Sequence, residues 1–177
     1  MKYIINIILF IYFIYNNAHA SGYYENDIAV MSHKYGTLIV AYRANDRLEL
    51  QEPYYLDPYY LDHSTWNPIL ADGGVILYNK IGRLCIKNEG VSVPYASSCD
   101  GNNMEHSTFV RIPSIQGSFL LQFKYTNKCL FANWALSYYY PSIETCPELN
   151  NDVDMGFLWS FVPKVGRSFA AQPLSMN

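Results

Sequence analysis

The chain has 177 residues, which suits one domain of ordinary size, and carries 12 Lys and Arg against 15 Asp and Glu. Because its formal net charge is −3 and its basic residues are scattered, direct binding to nucleic acid is not expected. Aromatic residues make up 16% of the chain, and 17 residues are Tyr, which combines a large apolar ring with a polar tip and is favoured at interfaces.

The first 20 residues have the features of a cleaved signal peptide. Lys2 precedes an apolar run, Tyr3–Tyr15, that is broken only by Asn6, and Ala18–Ala20 has the small-x-small pattern of a cleavage site. A membrane anchor is the alternative, but the run is shorter than the roughly 18 to 20 residues that span a bilayer. We therefore predict a secreted protein, exported through the periplasm, whose mature chain begins at Ser21, has a net charge of 11 − 15 = −4 and lacks a transmembrane segment.

The mature chain is divided into an N-terminal tail (residues 21–30), a folded domain (31–170) and a C-terminal tail (171–177). Early in the folded domain the unit Tyr-Tyr-Leu-Asp occurs twice, after Pro53 and again after Pro58. The two prolines argue against a regular central strand. In an extended or turning chain, one Tyr of each pair faces inward and the other outward. The segment is either an exposed binding surface or a tightly packed irregular loop, and the sequence leaves both open.

Short strands are the elements that the sequence predicts for the rest of the domain. Seven segments are rich in β-branched and aromatic residues and are bounded by Gly, Asn, Asp or Pro, and no stretch of about 12 residues has a convincing helical period. The chain is therefore predicted to be all-β. The predicted strand segments are Gly36–Arg43, Gly73–Lys80, Arg83–Asn88, Ser107–Pro113, Gly117–Tyr125, Lys128–Asn133 and Phe157–Pro163.

Four cysteines follow the predicted signal peptide: Cys85, Cys99, Cys129 and Cys146. An even number in a secreted chain predicts two disulfides, for which three pairings exist, and pairing between sequence neighbours is the simplest. Each such loop stabilises a fold by about 3 kcal/mol on the chain-entropy model. A zinc site is disfavoured because the chain has no C-x2-C pair.

The chain contains a unit of about 45 residues that recurs three times. The segments Gly82–Cys99 and Asn127–Cys146 both begin with a Cys-containing strand, end on a second Cys and are followed by aromatic-x-x-apolar-Pro. A cysteine-free copy, Tyr35–Leu70, precedes them. Three such units predict a β-trefoil, and a generic two-sheet sandwich is the alternative.

Three segments carry a family resemblance: ADGGVILYNKIGRLCI (71–86), HSTFVRIPSIQGSFLLQFKYTNKCL (106–130) and FLWSFVP (157–163). In them the chain resembles the C subunit of cytolethal distending toxin, a three-part bacterial genotoxin. The resemblance implies a ricin-type β-trefoil with two intrachain disulfides. It also implies a non-catalytic subunit that assembles with the A subunit and the nuclease subunit and helps to deliver the nuclease to a host cell.

The resemblance favours the C subunit over the A subunit, because the A subunit carries a lipid-modified Cys after its signal and this chain has none there. Two departures are present. The family has a double proline after the last strand, where this chain has Pro163-Lys164, and the N-terminal third matches little of the family.

No arrangement typical of an enzyme is found. His33, His63 and His106 form no H-x-x-H or H-E-x-x-H pattern, and neither a G-x-S-x-G elbow nor a phosphate-binding glycine loop is present. The acidic pairs Asp57/Asp62 and Asp152/Asp154 fit exposed loops better than general acid–base catalysis. We predict no enzymatic activity, no cofactor and no metal.

Ricin-type lectins usually end each repeat with Gln-x-Trp, in which the Gln helps to orient the sugar pocket. The corresponding triplets here are Ser64-Thr65-Trp66, Ser107-Thr108-Phe109 and Phe157-Leu158-Trp159, and none keeps the Gln. The tryptophans are therefore predicted to fill the core, and the ordinary sugar pockets are predicted to be degraded.

Two aromatic clusters are the predicted binding residues, for toxin partners or for a glycan, lipid or receptor of the host surface, because Tyr and Trp are favoured anchors at interfaces. Packing of these rings within long loops is the alternative. The clusters are Tyr54, Tyr55, Tyr59 and Tyr60, and Trp134, Tyr138, Tyr139 and Tyr140.

By resemblance, Tyr23 and Tyr24 in the N-terminal tail contact the nuclease, and ordinary disorder of a terminus is the alternative. The rival functions are a free-standing ricin-type lectin and a secreted β-trefoil protease inhibitor. A lectin would keep Gln and sugar-facing acids in several repeats, and an inhibitor would present an exposed, cleavable loop.

Overall fold

A computed structural model of the chain describes residues 27–56, 61–90, 92–99, 104–114, 117–135, 137–149 and 153–164. Within these ranges the protein forms twelve β-strands and four short 3-10 helices and contains no α-helix. None of the described segments is a helix that is both long and apolar enough to cross a bilayer. The predicted signal peptide and the predicted C-terminal tail lie outside these ranges.

The strands are β1 Ile28–Ser32, β2 Leu38–Val40, β3 Glu49–Gln51, β4 Asn67–Ala71, β5 Gly74–Asn79, β6 Leu84–Lys87, β7 Tyr95–Ser98, β8 Thr108–Pro113, β9 Phe119–Phe123, β10 Lys128–Ala135, β11 Tyr138–Thr145 and β12 Trp159–Pro163. The 3-10 helices are Pro53–Tyr55, Leu61–Ser64, Met104–Ser107 and Met155–Phe157. Six of the seven predicted strand segments contain one of these strands, and the seventh, Lys128–Asn133, lies within the longer β10. β1 begins inside the segment that was assigned to the N-terminal tail, so the folded domain starts before residue 31.

Six of the strands form a closed barrel. Antiparallel pairing joins β1 to β12, β12 to β9, β9 to β8, β8 to β5 and β5 to β4. The ring closes between β1 and the residue before β4, where the Ile28 and Trp66 backbones exchange hydrogen bonds of 2.9 and 2.8 Å. A closed ring leaves no free edge on which another chain can aggregate.

The same pairing order occurs in the strand groups β1–β4, β5–β8 and β9–β12. In each group the first strand pairs with the second, and the second and third form a hairpin. The fourth strand pairs with the first strand of the following group, and β12 returns to β1. Three hairpins therefore extend from the barrel at equivalent places.

Three aromatic side chains at equivalent places fill the centre of the barrel. Trp66, Phe109 and Trp159 are each 0% exposed and belong to the largest hydrophobic cluster. The Trp66 indole N–H donates to the backbone oxygen of Ile39 at 3.0 Å, and the Trp159 indole N–H donates to that of Leu130 at 3.1 Å. Because a buried indole N–H needs an acceptor, these bonds complete the burial. The prediction that the tryptophans fill the core is confirmed.

A second, smaller core cluster explains the repeated Tyr-Tyr-Leu-Asp unit. Leu56 and Leu61 are 3% and 2% exposed and pack with Ala29, Leu38 and Val40. Each copy of the unit therefore contributes its leucine to the core. Pro53 begins a 3-10 helix, not a strand, as its fixed φ and missing N–H favour.

Two disulfides tie the second and third hairpins. Cys85–Cys99 joins β6 to the residue after β7, and Cys129–Cys146 joins β10 to the residue after β11, with Cα atoms 5.3 and 5.0 Å apart. Pairing between sequence neighbours is confirmed. The first hairpin, β2–β3, contains no Cys.

Candidate functional site

An open groove of 950 Å³ runs beside β3 and the start of β11. It is lined by Tyr42, by residues 46–52, by Val93 and by residues 137–140. The groove thus contains Tyr138, Tyr139 and Tyr140, three of the four residues of the second predicted aromatic cluster.

Pairing between β3 and β11 determines which side chains face outward. Leu50 pairs with Tyr139, and both point towards the core, where Leu50 is 2% exposed and Tyr139 packs on Tyr35 with ring centroids 4.9 Å apart. Since side chains alternate along a strand, the neighbours of this pair lie on the opposite face. Their antiparallel register places Tyr140 next to Glu49 and Tyr138 next to Gln51.

Two tyrosine rings form the aromatic part of this outer face. Tyr138 and Tyr140 are two positions apart in β11, and their ring centroids are 5.5 Å apart at an interplanar angle of 43°. Tyr138 is 53% exposed. The pair therefore presents an aromatic surface that a ligand can contact without displacing the core.

Charged groups complete the lining. Asp46, Glu49 and Glu52 contribute three carboxylates and Arg47 one guanidinium. The Gln51 side-chain amide donates to the Glu49 carboxylate at 2.8 Å, which holds that carboxylate beside the tyrosines. Within the described parts of the chain, none of these four charged groups takes part in an ion pair. The lining therefore carries a net charge of 1 − 3 = −2, which no ion pair among the described residues neutralises.

The second predicted cluster is divided between two faces of the β10–β11 hairpin. Trp134 pairs with Tyr139 across the hairpin, so it lies on the face opposite Tyr138 and Tyr140. Its side chain is 56% exposed and does not line the groove. The hairpin thus carries two separate aromatic surfaces where the sequence predicted one.

The first predicted cluster is only partly described. Tyr54 lies in the 3-10 helix Pro53–Tyr55, is 53% exposed and does not line the groove. Tyr55 belongs to the same helix, and its side chain lies outside the description. The predicted binding residues Tyr59 and Tyr60, and the predicted nuclease contacts Tyr23 and Tyr24, lie outside the described residues.

Of the four acidic residues weighed as general acids or bases, Asp62 and Asp154 have structural contacts, and Asp57 and Asp152 lie outside the described residues. Asp154 caps the 3-10 helix Met155–Phe157 by accepting from the Gly156 N–H at 2.8 Å and forms an ion pair with Lys34 at 3.1 Å. The Gly156 N–H, followed by the Lys34 ammonium, lowers the pKa of Asp154 against the opposing effect of its burial. Asp62 forms an ion pair with Lys164 at 3.0 Å.

His33, His63 and His106 each contact a different residue. The His33 ring is 2.6 Å from the Ser160 hydroxyl, and the His63 ring is 2.9 Å from the backbone oxygen of Ala41. The described residues contain no cluster of three His, Cys, Asp or Glu side chains that could hold a metal ion.

The polar half of the groove was missed by the sequence analysis. Arg47–Gln51, the segment RLELQ, alternates strictly between polar and apolar residues, and both of its leucines are buried. This alternation is typical of a half-buried strand. A strand assignment there would have placed Arg47, Glu49 and Gln51 on one exposed face.

Comparison with solved structures identifies proteins of the same architecture. The cytolethal distending toxin of Actinobacillus actinomycetemcomitans matches with a TM-score of 0.68 at 16% identity, over 86% of this chain and 97% of that chain. The Haemophilus ducreyi cytolethal distending toxin matches with a TM-score of 0.66 at 14% identity, over 79% and 84% of the two chains. The chain shares its fold with cytolethal distending toxin chains.

A β-trefoil protein, BEL, also matches, with a TM-score of 0.61 at 15% identity over 78% of this chain and 93% of that chain. The designed threefold-symmetric protein ThreeFoil matches with a TM-score of 0.60 at 12% identity over 77% and 97% of the two chains. No protein-family model and no curated protein sequence matches the chain. At identities this low the similarities describe the fold, and the function has to be argued from the site.

Proposed function

We propose that the twelve strands are a ricin-type β-trefoil of three repeats, each made of four strands. Three observations support this assignment: the pairing order that recurs in the three groups, the closed barrel, and the aromatic residue buried at the start of every fourth strand or just before it. The similarity to a β-trefoil and to a threefold-symmetric design supports it further.

We propose that the protein is a non-catalytic binding and delivery subunit of a multi-subunit bacterial genotoxin of the cytolethal distending type. The observation that carries this proposal is the match to a toxin chain over 86% of this chain and 97% of that chain. Nearly the whole of each chain takes part, so the similarity is not limited to one motif. Within the toxin, the segments that resemble the C subunit and the lack of a Cys after the predicted signal favour the C subunit.

In this role the protein assembles with the A subunit and the nuclease subunit and contributes to binding at the host cell surface, and the nuclease supplies the catalysis. The contacts of the His and Asp side chains support the lack of enzymatic activity. Each contact described above is a cap, an ion pair, a bond to the backbone or, for His33, a contact with the Ser160 hydroxyl, whereas catalysis needs several such groups directed into one pocket.

The two faces of the β10–β11 hairpin supply separate surfaces for two kinds of partner. Exposed Trp134 is the larger aromatic anchor and carries no carboxylate beside it in the register, whereas Tyr138 and Tyr140 lie next to Glu49 and Gln51. We assign the Trp134 face to the host surface, because an aromatic residue without neighbouring acid groups suits a glycan or lipid surface. The groove face is assigned to a partner subunit.

Size-exclusion chromatography tests the proposal. The mature, oxidised chain from Ser21 to Asn177 is mixed with the A and nuclease subunits of the same toxin, and a stoichiometric ternary peak is expected at low and at moderate salt. Elution of the chain alone under both conditions would refute the toxin assignment.

A second candidate is a free-standing lectin, and the observation that favours it is the ring pair of exposed Tyr138 and half-buried Tyr140 beside a hydrogen-bonded carboxylate. Aromatic faces and fixed polar groups are the elements of a small-molecule site. A glycan-binding screen of the isolated chain distinguishes the two functions. Tight binding to a defined glycan without ternary assembly would favour the lectin, and assembly without glycan binding would favour the toxin subunit.

A further inference from the structure

We propose that the groove between β3 and β11 binds a basic, extended segment of a partner protein through the side chains of Lys or Arg. This inference rests on the proposed function only in its last step, which places the segment in a partner subunit of the toxin. The groove, its charge and its aromatic rings are properties of the isolated chain and can be tested on it alone.

The charge of the groove selects the ligand. Asp46, Glu49 and Glu52 outnumber Arg47, and within the described residues no Lys or Arg of the chain forms an ion pair with them. Opposite charges across an interface direct association and choose the partner. A cationic ligand is therefore favoured, and sialylated or sulfated glycans are repelled.

The rings next to the carboxylates suit the same ligand. An ammonium or guanidinium group over a Tyr face is attracted by the ring quadrupole. The protein already uses this contact elsewhere: the Lys124 ammonium lies 4.6 Å from the centre of the Tyr125 ring, and the Lys34 ammonium lies 5.6 Å from that of Tyr35. At the groove the rings of Tyr138 and Tyr140 lie beside carboxylates. A Lys or Arg side chain of the ligand would supply the cation that these rings and carboxylates bind.

The size of the groove indicates more than a single cationic group. Its 950 Å³ lies at the upper end of the range of about 300 to 1,000 Å³ for small-molecule sites, and a lone ammonium head would fill little of it. The carboxylates are distributed along the chain from Asp46 to Glu52. A row of separated acids matches an extended segment that carries two or more basic residues.

Recognition is expected through side chains and not through added strand pairing. β3 is hydrogen-bonded to β2 on one side and to β11 on the other, so it offers no free edge to an incoming strand. A ligand therefore lies across the outer face, over Glu49 and Tyr140. The specificity then comes from the spacing of charges and rings.

Fluorescence polarisation with a labelled peptide of about six residues, in which Lys and Ser alternate, tests the groove. We expect saturable binding to the isolated oxidised chain, roughly tenfold weaker when salt is raised from about 50 mM to about 500 mM, because screening shortens the Debye length. The variant Glu49→Gln/Glu52→Gln is expected to bind the peptide roughly three- to tenfold more weakly.

Two controls separate the groove from general acidity and from misfolding. Glu144→Gln/Glu148→Gln removes the same two charges from exposed residues outside the groove lining, and we expect its binding to be unchanged. Tyr138→Ala/Tyr140→Ala is expected to weaken binding roughly tenfold, whereas Trp134→Ala on the opposite face is expected to have no effect. Far-UV circular dichroism and thermal melting of each variant identify any that fail to fold.

Equal binding of a Glu-Ser peptide, or unchanged binding in the Glu49/Glu52 and the Tyr138/Tyr140 variants, would overturn the inference. Displacement of the peptide by a neutral sugar that binds more tightly would also overturn it, in favour of a glycan site. Failure of ternary assembly with intact peptide binding refutes the toxin role and leaves the groove assignment standing. Ternary assembly in the absence of peptide binding would refute the groove assignment and leave the toxin role standing.

Discussion

The leucines of the repeated Tyr-Tyr-Leu-Asp unit are expected to hold that segment on the barrel. The perturbation that tests this is Leu61→Ala, with Leu56→Ala as its counterpart in the first copy. Their side chains are 2% and 3% exposed and belong to one cluster, so truncation leaves a cavity that neighbouring residues only partly fill. Buried Leu to Ala changes lower the free energy of unfolding by about 2 to 5 kcal/mol. Because this cluster is small, we expect the lower part of that range, about 2 to 3 kcal/mol.

Thermal unfolding followed by circular dichroism under oxidising conditions measures the effect. For a domain of this size each kcal/mol lowers Tm by about 2 to 4 °C, so each variant should melt about 4 to 12 °C lower. The double variant should lose less than the sum, because the two leucines share one cluster and one cavity.

Matched controls decide whether burial is the cause. Leu149→Ala makes the same truncation at a side chain that is 56% exposed, and Tyr54→Ala removes a ring that is 53% exposed. Both should cost about 1 kcal/mol or less. If Tyr54→Ala destabilises the protein as much as Leu61→Ala, the tyrosines hold the segment and this reasoning is refuted.

Three further predictions concern the disulfides and two titrating groups. Replacing Cys85 and Cys99 by Ala should lower the free energy of unfolding by about 3 kcal/mol in denaturant titrations, and a loss below about 1 kcal/mol would contradict the role of the loop. The pKa of Asp154 is lowered from 3.8 in the folded protein. Its contribution to stability is therefore complete above pH 3.8 and is lost as pH falls through the lower, folded-state pKa. Asp154→Asn should remove this acid-side fall from a plot of Tm against pH. Burial, followed by a hydrogen bond with Glu89, raises the pKa of Tyr95 from 10.0 to about 12. Stability should therefore decline as pH rises from 10 to 12. If Tyr95→Phe shows the same decline, ionisation of Tyr95 is not its cause.

The parts of the fold that were predictable are those in which the evidence lies close together in the sequence. Cys85 and Cys99 border one hairpin, so loop length alone favoured their pairing, and Trp66 and Trp159 recur at the same place in their units. β11 was not predicted, because Pro141 and the tyrosines before it are typical of a loop.

The structure explains how β11 tolerates its proline. Ile143, two positions later, directs its N–H away from β10, to the backbone oxygen of Ser92 at 2.8 Å. By alternation the nitrogen of Pro141 also points away from β10. β11 pairs with β3 only at Tyr139, so the missing N–H interrupts no hydrogen bond between strands.

The groove was less predictable than the fold because its two walls come from distant parts of the chain. Leu50 and Tyr139 meet only when the first and third hairpins pack together. The sequence identified the tyrosines by composition, but nothing local placed Glu49 beside them. Likewise, the strand register is needed to show that Trp134 and Tyr138 lie on opposite faces of the β10–β11 hairpin.

The uneven distribution of the two disulfides has a consequence for the behaviour of the domain in a thiol-rich compartment. Reduction would release the β6–β7 and β10–β11 hairpins from their covalent constraint, whereas β2–β3 has no disulfide to lose and is held by strand pairing and packing. One wall of the groove, β11, belongs to a reducible hairpin and the other, β3, does not. A reductant would therefore loosen the β11 wall of the groove before the β3 wall. A ligand bound between the two walls would lose its contacts with β11 first.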